Sequence, residues 1–258
     1  MINWNWKEFI NELELIVGGL DILKTQCFDF HSGFNEKLNL QNKLQHPVII
    51  SFSAIYNYAN ICYEFINQYL QLSKSDQVEI ENIDQYIDEV VQRCIELTKI
   101  MFIGSMSAME FGVREVIKLF PNHEIYESIE RKEKLIHEFD KVFDTLNNES
   151  KDKLRKFRKK FKNVPIFDSF QYIINKSKSL NLLTKEEAEL WKTIIDLRNS
   201  AVHNGMYAIK DLSIDSENLK FHFLKNTGIK EDMDFFVYLC VNAVDMKCIW
   251  LQRLFEIE

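Results

Sequence analysis

Helix breakers and turn formers are scarce in this chain. Three prolines and seven glycines are spread over 258 residues, too few for the turn-dense sequence of a β-sandwich or barrel. Its most apolar stretch, Ile100 to Val113, is interrupted by Gly104, Ser105, Ser107, Glu110 and Gly112. That leaves it too short and too polar to span a bilayer. The opening residues MINWNWKEF lack the basic-then-apolar order of a secretory signal. A soluble, cytoplasmic chain with no membrane association is therefore expected.

Other chemistries are missing too. Five cysteines, Cys27, Cys62, Cys94, Cys240 and Cys248, form an odd set without CxxC spacing, which argues against a disulfide framework and a zinc site. They read as buried thiols in a reducing compartment. His31, His46, His123, His137 and His222 show no metal-ligand spacing, and neither a glycine-rich phosphate loop nor a GxSxG elbow occurs. No metal and no cofactor is expected. A net charge of -7 excludes a protein that coats nucleic acid or anionic membrane through bulk electrostatics.

What is present is helix-forming pattern. With 46% apolar and 28% charged residues, the chain is expected to be all-α, with one large core or a core plus an extension. Phe9, Leu13, Ile16, Leu20 and Leu23 recur at helical spacing, with a loop expected around His31 to Gly33. Pro47 is placed to open a second helix carrying Phe52, Ile55, Ala59, Cys62, Ile66 and Tyr69, ending near Ser73. A third helix begins near Ile83 and continues until Pro121 forbids it. Its small residues Gly104, Ser105, Ser107 and Ala108 fit either a close helix approach or a bend.

Lys151 to Lys162 reads KDKLRKFRKKFK, eight basic residues against one Asp. Leu154, Phe157 and Phe161 share a helical face and read as core anchors. Lys156, Arg158, Lys159 and Lys160 are then candidates for phosphate binding in RNA, or simply a solvated face. Further on, Thr184 and Glu187 form a capping box, and Leu190, Ile194 and Leu197 a buried stripe. Asn204-Gly205 supplies a stop, so a helix is expected from about Lys185 to His203. DLSID and NLKFHFLKN predict a short β-hairpin near residues 210–226 with His222 facing out, and a buried helix follows from about Met233 to Phe255.

The segment LRNSAVHNG places Arg198 five residues before His203, with Asn199 directly after the arginine. Arginine offers a permanent planar cation for phosphate oxygens. Histidine suits proton transfer, and RNA cleavage through the 2'-hydroxyl needs a base, an acid and a cation for the phosphorane. In a regular helix Arg198 and His203 stand about 140° apart, whereas Asn199 and His203 share a face. Either the arginine reaches around or the last turn unwinds. Asn199 could orient His203 or bond the phosphate. The plainer alternative is that Arg198 and Asn199 make helix-end hydrogen bonds and His203 supports the C-terminus.

The Arg-Asn-x3-His segment, at the end of a capped helix in an all-helical chain, resembles the Rx4-6H motif of the HEPN superfamily. The resemblance implies a HEPN-like helical domain over residues 81–258 behind an N-terminal helical extension, 1–80, which could also run together as one continuous domain. It implies a metal-independent endoribonuclease leaving a cyclic 2',3'-phosphate, and a homodimer that joins two motifs in one cleft. A toxin or phage-defence effector with a cognate antitoxin or defence partner would fit by analogy. Non-catalytic RNA binders also occur in the superfamily, so a non-catalytic RNA-binding or protein-interaction module is the alternative. Glu110 and Arg114 resemble a polar pair that several HEPN proteins direct to the site. Glu110 then either positions Arg198 or forms an ordinary i,i+4 ion pair, and Tyr207 either lines the cleft or packs.

Overall fold

Three reciprocal or single caps fix where helices begin. In the computed structural model, Asn5 and Glu8 cap each other's backbone amides, Asn82 Oδ1 accepts from the Gln85 amide, and Thr184 and Glu187 repeat the reciprocal box. The structure describes residues 5–37, 45–75, 82–126, 137–152, 154–155, 170–203, 207–215, 220–227 and 233–256. Helix α1 spans Trp6–Lys37, α2 Gln45–Lys74 and α3 Ile83–Ile117. A 3-10 turn follows at Glu124–Tyr126, then α4 at Phe170–Ser179 and α5 at Lys185–His203. Strands β1 (Leu212–Asp215) and β2 (Lys220–Phe223) precede α6, Phe235–Glu256. Residues 137–145 and 148–152 are also helical.

Helices α1, α2, α3 and α6 form a closed ring of contacts: α1 against α2, α2 against α3, α3 against α6 and α6 back against α1. Their inward faces join one apolar core that runs from Phe9 to Leu254 and includes residues of α1 and α2 as well as of the later helices. Outside this bundle, α5 lies against α3 and α6, and both α4 and the hairpin pack on α5. The chain is thus mostly helical with one antiparallel pair, registered Leu212 to Phe223 and Asp215 to Lys220. His222 is exposed and its neighbours Phe221 and Phe223 are half-buried, as period-two alternation requires. All five cysteines are buried and free.

Of the two readings of the small residues in α3, the structure has close approach. A Cβ on Gly104 would meet Tyr58 Cζ of α2 at 2.6 Å, and one on Gly112 would run into Ser51. Elsewhere the expectation fails. No loop interrupts His31 to Gly33, because α1 continues to Lys37. Phe30 stacks on Phe52 with ring centres 6.2 Å apart, and one glycine costs a helix only about 1 kcal/mol. Leu154 is exposed rather than a core anchor, while Phe157 and Phe161 lie outside the described residues. Helix α6 is long and apolar enough to cross a membrane by length and composition, yet 67% of its most apolar window is buried inside the bundle.

Lys247 of α6 is completely buried in that core. Its Nζ donates to Ser51 Oγ and lies 4.1 Å from the centre of the Phe52 ring, and among the described residues no carboxylate pairs with it. Burial pulls its ammonium down to about 8, against an ordinary 10.5. Between those values the unfolded chain holds a proton the folded chain has lost, so this group makes the fold more stable as pH rises from 8 to 10.5. Lys247→Met is accordingly expected to stabilise the chain at pH 7 by about 3 kcal/mol, with the advantage fading by pH 10.5. Urea unfolding of both chains across that range reads the difference; a destabilised variant at pH 7 would refute the assignment.

Candidate functional site

Helix α5 is anchored at both ends before its polar residues are placed. At its start, Glu187 completes the capping box and receives a two-pronged contact from Arg253 of α6, at 2.5 and 3.0 Å. Burial alone would raise the Glu187 carboxyl, but the Arg253 hydrogen bonds and the Thr184 amide outweigh it and hold it low. Ala188, Trp191, Ile194, Ile195 and Leu197 are buried along the helix, and Trp191 meets Phe170 of α4 edge to face. That packing leaves Arg198 and Asn199 half-buried on the side where α5 borders α3.

Arg198 meets Glu110 of α3 there. Glu110 Oε1 accepts from Arg114 Nη2 at 2.9 Å, and Oε2 accepts from Arg198 Nη2, so one carboxylate joins two arginines from two helices. Both proposed roles of Glu110 therefore coexist: it forms the i,i+4 pair and it holds Arg198. Arg198 Nε is buried and has no acceptor among the described residues.

These groups open onto a cavity of about 530 Å³ lined by Glu110, Arg198, Asn199, Asp196, Gln171 and Lys210, with apolar walls from Phe170, Ile195 and Ile209. Asp196 is 3% exposed. Gln171 donates to its Oδ1 at 2.5 Å and Lys210 Nζ stands 2.5 Å from its Oδ2. Ser200 Oγ donates to the Asp196 carbonyl and accepts from the Ile209 amide at 3.4 Å, which ties the chain after the motif to α5. Arg198 pairs with Glu110 and Lys210 with Asp196, so a guanidinium and an ammonium, each with a carboxylate beside it, stand on the cavity wall. Both are groups that can take a phosphate oxygen.

His203 is not on the cavity wall. Helix α5 stays regular through it, its side chain is exposed, and it makes no hydrogen bond to Arg198 or Asn199. Tyr207 is exposed as well and does not line the cavity. The structure thus brings Arg198, Asn199, Glu110 and Arg114 together and leaves His203 and Tyr207 outside. Lys156, Arg158, Lys159 and Lys160, like the stop at Asn204-Gly205, lie outside the described residues.

Sequence reasoning missed Asp196, Gln171 and Lys210. Asp196 carried a usable signal, a carboxylate between Ile195 and Leu197 on a strongly buried stretch of helix. Gln171 and Lys210 carried none, since each reaches the site only through the fold. No group of three or more His, Cys, Asp or Glu side chains placed to hold a metal occurs among the described residues. Comparison with protein-family models, curated proteins and solved structures finds no match.

Removing the shared carboxylate should expose the linkage. Glu110→Ala removes the carboxylate that the Arg114 and Arg198 guanidinium groups share and is expected to cost about 1–3 kcal/mol. In a double-mutant cycle, Arg198→Ala in the Glu110→Ala background should cost much less than in the native chain. Thermal denaturation of the four chains measures this, and additive effects would contradict the coupling.

Proposed function

We propose that this chain is a HEPN-type endoribonuclease that cleaves RNA without a metal, and that the cavity between α3 and α5 receives the scissile phosphodiester. The observation that supports this most is Arg198 Nε, a buried donor with no acceptor among the described residues, on a residue that lines the cavity. Such a donor calls for an outside partner, and a phosphate oxygen is well matched to guanidinium. In this reading Arg198 and Lys210 hold the phosphate, Asn199 bonds it or orients the imidazole, and Glu110 and Arg114 fix Arg198 from behind. Lys156, Arg158, Lys159 and Lys160 bind the flanking strand, and Tyr207 borders the site.

His203 carries the protons. An imidazole removes the 2'-hydroxyl proton as that oxygen bonds to phosphorus, and an imidazolium protonates the departing 5'-oxygen as its bond to phosphorus breaks. A cyclic 2',3'-phosphate and a free 5'-hydroxyl result. Because His203 stands outside its own chain's cavity, this chemistry requires a homodimer in which motifs from two chains share a cleft. A cytoplasmic setting, and a toxin or phage-defence role with an antitoxin or defence partner, belong to the same proposal by analogy.

That same exposure of His203 favours one second reading, a non-catalytic helical module that binds RNA or a protein partner. The two separate in one experiment with a mixed RNA pool in EDTA. The nuclease reading expects cyclic-phosphate products from the native chain and at least about a hundredfold loss in Arg198→Ala and His203→Ala. Binding without cleavage would select the module, and cleavage that survives both substitutions would remove the site.

A further inference from the structure

Helix α2 is thirty residues long and holds only two residues of formal charge, Glu64 and Lys74. A helix with one face in a core normally carries its charges on the other. Here the outward face instead presents Ile50, Tyr58, Ile61 and Phe65, with Ile61 and Phe65 53% and 51% exposed. Tyr58 lies over Gly104 of α3, and on that helix no charge occurs between Lys99 and Glu110. Ile100 and Phe111, 60% and 52% exposed, continue the apolar surface along α3. Charge depletion around exposed aromatic and aliphatic side chains is the compositional mark of an interface centre.

We propose that the outer face of α2 and α3 is the surface on which a second copy of this chain docks. The six side chains offer on the order of 500 Å² of apolar surface, and the neutral residues between them extend the face toward the roughly 800 Å² per partner of a standard interface. Charge decides the occupant. Two chains that each carry -7 repel least through a surface poor in charge, and on this face Glu64 is the single charged residue of α2 from Val48 to Ser73. A bilayer would select a rim of lysine and arginine beside the apolar stripe; α2 has none from Val48 to Ser73, and on α3 Arg93 and Lys99 each have a glutamate within 4 Å, Glu89 and Glu96. Nucleic acid would demand cations as well. An isologous pairing needs no charge complement, only a face that fits its own image.

The inference does not depend on the nuclease reading, although the face ends at Phe111, directly after Glu110. Sedimentation velocity on the full chain at about 1–100 µM tests it. The native chain should sediment at twice its 30.7 kDa mass. The double variant Ile61→Glu with Phe65→Glu should raise the dissociation constant at least about a hundredfold while keeping the native helical circular-dichroism spectrum, since both side chains are about half exposed. Val142→Glu, at an exposed apolar residue elsewhere, should leave the dimer intact. Should the double variant fail to fold by circular dichroism, Ile100→Glu on α3 decides in the same way. A native chain that is monomeric throughout, a folded face variant that still pairs, or a monomer that floats with anionic vesicles would each overturn the proposal.

Discussion

One carboxylate orders the polar half of this molecule. Glu110 sits on the helix that closes the bundle and takes a guanidinium on each oxygen, Arg114 from its own helix and Arg198 from α5. Without that bridge, a long, rotamer-rich arginine would have no fixed direction, and α5 would be held to α3 by apolar packing alone. With it, the guanidinium is oriented before any ligand arrives, which removes part of the entropy that binding otherwise has to supply. The arrangement also explains how Arg198 can be largely buried. Its charge is balanced by Glu110, while Nε is left without an acceptor among the described residues.

A second carboxylate performs a similar task two residues earlier. Asp196 is nearly inaccessible, and Gln171, Lys210 and the Ser200 turn converge around it from α4, from the chain after the motif, and from α5 itself. The cavity is therefore bounded by four separate parts of the sequence: α3, α4, α5 and the chain after α5. Its shape follows from anchoring polar groups to α5, and the bundle contributes only α3 as a wall. Conversely, the bundle accepts at Lys247 an ammonium with no carboxylate partner among the described residues, beside Ser51, the Phe52 ring and the Cys27 and Cys248 thiols. Its burial there pulls its pKa down.

The parts of this architecture that were legible in the sequence are those governed by local rules. The Thr184 and Glu187 box and the apolar stripe after it place α5 at Lys185–His203, and strict alternation around His222 places the hairpin. Where the reading failed, a long-range contact outweighed a local signal. Polar and glycine residues at His31 to Gly33 look like a loop until Phe30 is seen stacked on α2. Gly104 and Gly112 are uninformative until Tyr58 and Ser51 are found against them. The site divides the same way: Arg198 and Asn199 announce themselves by motif, Glu110 by its i,i+4 partner, and Lys210 by nothing local at all.

The position of His203 follows from geometry. A helix that stays regular through its last residue keeps positions five apart about 140° around the axis, and α5 does stay regular. The alternative, an unwound last turn that swings the imidazole toward the arginine, is therefore absent from the described chain. Glu110 removes the other escape, because it holds Arg198 against α3 and so prevents it from reaching around to His203. Arg198 and His203 thus face different directions within one chain. For both to act on one phosphodiester, the second group has to come from outside the chain. A catalytic role for the motif would therefore require self-association, though self-association does not require catalysis, and simple RNA binding at the cavity would need only a single copy.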